Sequence, residues 1–144
     1  MKALYTILFF YCCFDSVFSQ SIEETQLKEV IYAEIQTLDS ILHSSSNVAT
    51  TVGSGQFGSS WNYGLDTMSI KSGFHENFEN HVLGCEKYND LEGQIIYSKC
   101  TVDEVYSIEK FFTSRKEAYV IENGSLKSLS KKSRKRILEK LSKY

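Results

Sequence analysis

Hydrophobic positions follow three patterns along this chain of 144 residues. The first is an almost unbroken apolar run from Ala3 to Phe14. In the second, Leu27, Val30, Ile31, Ile35, Leu38, Ile41 and Leu42 recur every three or four residues and fall in one stripe at about 100° per residue. Ser21 and Glu24 make a Ser-x-x-Glu capping box ahead of that stripe. The pattern predicts a helix from Ile22 to about His43.

Beyond Asn47 the apolar runs shorten and turn-forming residues punctuate them. Val48 to Val52, Leu65 to Lys71, Gln94 to Cys100 and Ala118 to Ile121 are strand candidates. Phe74, Phe78, Val82 and Cys85 are spaced for a helix opening near Gly73, with a strand as the competing reading. Thr101 and Glu104 form a second capping box before Val102, Val105, Tyr106, Phe111 and Phe112, which predicts a short helix. Asn89 to Gly93 is a turn cluster. Ser128 or Ser130 is placed to cap a final cationic helix. The expected fold class is α+β. A long N-terminal amphipathic helix packs on a small antiparallel sheet with one disulfide, and a basic C-terminal helix or tail follows.

The first run changes the picture most. Lys2 precedes it, and Val17 and Ser19 supply small residues at the −3 and −1 positions of a cleavage site. This is the layout of a secretory signal peptide over residues 1–19, cut before Gln20. The run is too short to span a bilayer, which takes about 20 residues. A secreted, extracellular product follows, without stable membrane insertion. Cleavage removes Cys12 and Cys13 and leaves Cys85 and Cys100, which in an oxidising compartment read as one disulfide across a hairpin. Apolar content of 42% separates the chain from disordered proteins.

Charge is divided unevenly. Residues 125–144 carry eight Lys or Arg against Glu139 alone, a balance of +7, while residues 20–124 sum to −9. The expected organisation is an acidic, disulfide-stapled domain over 20–124 and a basic amphipathic tail over 125–144. Lys131, Lys132, Arg134, Lys135, Arg136 and Lys140 are the candidate polyanion-binding residues, with sulfated glycans as first partner and nucleic acid as a secondary one. Leu126, Ile137, Leu141 and Tyr144 would share one side of a helix, so docking on the acidic body or on an anionic membrane surface competes with that reading. Lys135-Arg136 is also a dibasic processing signal.

Other candidate chemistry is weaker. Gly53, Gly55 and Gly58 spell Gly-x-Gly-x-x-Gly, but Ser-Ser-Trp-Asn-Tyr-Gly follows where a helix should open, so a dinucleotide site is excluded. Phe57, Trp61 and Tyr63 in that stretch either pack inward or form an exposed aromatic platform. His75 and His81 lie six apart, about 240° round a helix, so they do not share one metal ion. Either could still pair with a carboxylate. Glu34 falls inside the apolar stripe, where a carboxylate needs a partner. Asn123-Gly124-Ser125 is an N-glycosylation acceptor. No nucleophile motif, metal spacing or cofactor motif emerges. The expectation is therefore a non-enzymatic, secreted binding or signalling protein that engages an extracellular protein or receptor and is tethered to polyanions by its tail. A precursor cut at Lys135-Arg136 and a small secreted hydrolase are the alternatives.

Overall fold

The computed structural model describes residues 2–45, 48–55, 58–65, 67–114 and 116–144, with side chains from residue 23 onward. Two compact units divide it, Met1–Glu34 and Ile35–Tyr144. The first unit is the leading part of one long helix, α1 (Lys2–Ser44). This helix passes through Ser21 without a break, so the capping box at Ser21 and Glu24 starts no helix. Among the described residues no helix is long and apolar enough to cross a membrane.

The second unit holds the end of α1, seven strands and a terminal helix. The strands are β1 (Val48–Gly55), β2 (Gly58–Leu65), β3 (Met68–Phe78), β4 (His81–Asn89), β5 (Ile95–Val102), β6 (Tyr106–Thr113) and β7 (Lys116–Gly124). Each pairs antiparallel with its neighbour in sequence, in the order β1 to β7. The architecture is a seven-stranded meander with a short helix, α2 (Lys131–Leu141), laid on it. This overturns the expected α+β arrangement of a long helix on a small sheet.

The reason is local. The three-to-four spacing of Phe74, Phe78, Val82 and Cys85 straddles two strands. On β3, Phe74, Glu76 and Phe78 alternate onto one face and face Cys85, Leu83 and His81 of β4. The link between them turns on Glu79 and Asn80, with φ of 52° and 67°. Asp103 and Glu104, with φ of 48° and 61°, turn β5 into β6 where the second capping box predicts a helix. Two successive left-handed residues are what a tight hairpin turn demands, and neither pair carries the glycine that usually announces one. The turn over Asn89–Gly93 forms as expected, and Asp90 Oδ1 accepts from the backbone N–H groups of Glu92 and Gln94 at 2.9 and 2.8 Å.

One face of the sheet carries Leu83, Cys85, Cys100, Val102 and Tyr106, sealed by Leu126, Ile137 and Leu141. Phe74, Phe78, Ile108 and Leu129 pack round this cluster. Cys85 and Cys100 are direct partners across β4 and β5, 4.1 Å apart at Cα, and are joined by a disulfide. That is the close approach of a cross-strand pair lacking backbone hydrogen bonds. Ser130 caps α2, its Oγ accepting from Ser133 N at 3.1 Å.

The other face carries a row of aromatics. Tyr88, Tyr97, Phe111 and Tyr119 are successive cross-strand partners on β4 to β7, with ring centroids 6.2, 5.3 and 5.9 Å apart. Such pairs add to sheet stability beyond their burial. The buried Glu109 accepts from Tyr97 Oη at 3.0 Å and pairs with Lys99 at 3.3 Å. Asp39 near the end of α1 accepts from Tyr88 Oη at 3.1 Å and from Lys71 Nζ at 3.4 Å.

Two stability predictions follow from the sealed face. Replacing both cysteines with alanine should lower unfolding stability by about 3 kcal/mol, the usual worth of a loop of this length; chemical denaturation under non-reducing conditions measures it. Ile137→Ala removes a fully buried side chain and should cost about 2–4 kcal/mol by the same assay.

Candidate polyanion-binding face and adjoining groove

The side of α2 that meets the sheet uses charge as well as apolar burial. Arg136 pairs with Glu79 in the turn after β3, and Lys140 Nζ lies 2.6 Å from Glu76 Oε1 on β3 itself. The Arg136 guanidinium and the Lys140 ammonium also approach the Phe78 ring, at 5.6 and 5.0 Å. Arg134 turns back on the segment entering the helix and donates to the carbonyls of Leu126, Lys127 and Leu129 at 3.1, 3.3 and 3.4 Å. Three of the six sequence-proposed cations, Arg134, Arg136 and Lys140, are therefore engaged within the molecule.

The remaining three face outward. Lys131, Lys132 and Lys135 are exposed. Lys135 makes an (i, i+4) pair with Glu139 at 3.7 Å, both side chains more than half exposed, and such a contact is worth little in water. At about 100° per residue, Lys131, Lys132 and Lys135 span roughly a 100° arc on the side away from Ile137 and Leu141. Lys127, also exposed, lies in the segment that leads into the helix. The helix thus sorts its cations into a pair directed at Glu76 and Glu79, with Lys140 mostly buried and Arg136 still half exposed, and an outer set presented to solvent. Sequence spacing missed this division because the acidic partners lie more than fifty residues away.

A groove of about 680 Å³ continues the α2-covered face toward β1. Register puts Gly53, Ser60, Phe74 and Cys85 in one cross-strand row and Gly55, Gly58, Glu76 and Leu83 in the next. Where the rows reach β1 and β2 the side chains become small, so the space beyond α2 stays empty. Phe74 and Tyr144, with ring centroids 4.5 Å apart, form the wall beside the helix.

Trp61 of β2 stacks on His75 of β3 at 5.0 Å. Gly73 and Gly84 lie opposite them across the strands, and a Cβ at either glycine would meet a ring at under 3 Å. The Trp61 ring is half-buried and the His75 ring exposed. Tyr63 is half-buried, and Phe57 lies outside the described residues.

His81 is on the far side of the β3–β4 turn from His75. Its Nδ1 is 2.5 Å from Asp103 Oδ2, while Asp103 Oδ1 accepts from Val82 N at 2.7 Å. The two histidines do not converge on one site, and among the described residues no group of three or more His, Cys, Asp or Glu could hold a metal ion. The Asp103–His81 pair ties the β3–β4 turn to the β5–β6 turn. Glu34 lies half-buried on α1. Asn123 is exposed on β7 opposite Ser107. The Tyr106 hydroxyl is pushed up to about 12 by burial and by Glu122. Burial pulls the Lys71 ammonium down, but Tyr88 and the carboxylates of Asp39 and Glu86 outweigh it and raise it above its ordinary value.

No family model matches this chain, nor does any curated protein or solved structure.

The Asp103 carboxyl is held below its ordinary value, first by the His81 hydrogen bond and then by Val82 N–H, against a small burial effect. A depressed carboxyl contributes stability that is full above its unfolded value of 3.8 and lost as pH falls through the folded value. Asp103→Asn should therefore remove part of the acid-dependent loss of stability. The difference is at most about 1 kcal/mol, because the pair is partly exposed. Urea unfolding at a series of pH values between neutrality and strong acid checks it.

Proposed function

We propose that this chain is a secreted, non-enzymatic binding protein that docks on polyanions, sulfated glycans foremost, through the outer face of α2. The carrying observation is the sorted helix. Its Arg136 and Lys140 are directed at Glu79 and Glu76, and its outer lysines stand on a helix anchored by the buried Ile137 and Leu141. Anchoring matters energetically. A lysine row on a fixed helix loses less conformational freedom on binding than the same residues on a loose tail. Polyanion binding then proceeds by counterion release and weakens with salt.

Secretion is supported by the leader pattern in the sequence and by the Cys85–Cys100 disulfide. The glycan acceptor at Asn123 sits on an exposed edge strand, a place an attached sugar can occupy without displacing the fold. The precursor reading meets an obstacle. The bond after Arg136 lies inside α2 and joins it to the buried Ile137, so a protease needs the helix peeled from the sheet before it can cut.

Exchanging Lys131, Lys132 and Lys135 together for glutamine should lower the salt concentration that elutes the protein from heparin and reduce the salt dependence by about one ion per lysine. The measurement is affinity across a salt series, with circular dichroism showing that the helix is retained. Unchanged elution would remove the outer face from the proposal.

A further inference from the structure

The two edges of the sheet are built differently. β7 at one edge carries Lys116, Glu117, Glu122 and the glycan acceptor Asn123, and its pairing with β6 is interrupted by a register shift between Phe111 and Phe112. Charges and irregular register are devices by which proteins keep a free edge from pairing with another chain. β1 at the other edge has none of them. Its sequence, Val-Ala-Thr-Thr-Val-Gly-Ser-Gly, contains no charge and no proline. Its pairing with β2 runs unbroken from Val48 opposite Leu65 to Gly55 opposite Gly58. It is exposed almost throughout, and Val52 retains 65% of its accessible surface.

From this asymmetry we infer that β1 is the interface for a second copy of the chain, the two β1 strands pairing antiparallel across a two-fold axis. An uncharged strand meets its own copy without electrostatic penalty, and Ala49 to Val52 supplies small and β-branched residues suited to cross-strand contact. Antiparallel pairing of identical edges closes on itself, since each copy uses its only unprotected edge and β7 refuses further growth. The groove bounded by Gly53, Ser54 and Gly55 reaches this edge at the C-terminal end of β1, so antiparallel pairing places one groove at each end of the shared strand pair. A charged or sequence-specific foreign peptide finds no recognition group on β1 itself, which is why a second copy is the occupant the edge fits.

The test is sedimentation of the intact secreted protein over a concentration series, together with amide hydrogen exchange. The wild type should reach twice the chain mass, with exchange of β1 amides slowing as concentration rises. The double variant Thr50→Lys with Val52→Lys places like charges along the edge at exposed positions and should stay at the mass of one chain with an unchanged circular dichroism spectrum. Ala118→Lys on β7 should dimerise as the wild type does. A wild type that remains a single chain throughout would overturn the inference. So would a dimer that survives the double lysine change, or one lost in the β7 variant. If the double variant does not fold, concentration-independent exchange of β1 amides in the wild type overturns it instead.

Discussion

The contact on which this structure depends most is the burial of Ile137 and Leu141 over the disulfide-bearing strands. A meander of consecutive hairpins has no second sheet to close its apolar face. Leu83, Cys85, Cys100 and Val102 would otherwise meet water, and α2 is the element that seals this cluster. The seal also decides where charge goes. Once Ile137 and Leu141 point at the sheet, helical geometry turns Lys140 and Arg136 toward Glu76 and Glu79 and leaves Lys131, Lys132 and Lys135 outside. The basic segment is thus a structural cover that carries a charged exterior. Its inner ion pairs fix the orientation of a helix whose position is set by apolar burial.

The disulfide and the aromatic row stabilise the same middle strands from opposite faces. Cys85–Cys100 fixes the β4–β5 register on the covered side. Tyr88, Tyr97, Phe111 and Tyr119 run across β4 to β7 on the other. A one-residue slip would exchange the two faces, placing cysteines where tyrosines stand, so either device alone penalises misregister. Strands β1 and β2 lack both. Glycine and serine make up seven of the sixteen residues of β1 and β2, and β1 is the most exposed strand of the sheet. The rigid middle and the lightly packed edge suit different tasks, holding the α2 face in one case and presenting backbone to a partner in the other.

Much of this was legible residue by residue. The disulfide hairpin, the Ser130 cap, the terminal helix and the turn at Asn89–Gly93 each carry a short-range signal, and each forms. The fold departs from the sequence expectation because two turns lack their usual signal. Glu79-Asn80 and Asp103-Glu104 adopt left-handed backbone without glycine, so the strands they join run together in the sequence and imitate helical spacing. The β2 strand was hidden for a different reason. Its Gly-Ser-Ser-Trp-Asn-Tyr-Gly composition has poor intrinsic strand preference, yet neighbours on both sides pair with it, and Gly73 makes room for its Trp61 ring. Of the basic cluster, the sequence shows the number of charges. Which of them face solvent depends on two glutamates brought in from β3 and its turn.

The order of elements along the chain has a consequence for how the protein is made. Each strand pairs with the one synthesised just before it, so every hairpin closes over a short loop at small entropic cost. The cover is different, because α2 follows all seven strands. Until its residues arrive, a nearly finished sheet presents a bare apolar face and an unprotected β1 edge at the same time. That interval is when a nascent chain is most open to association with its neighbours.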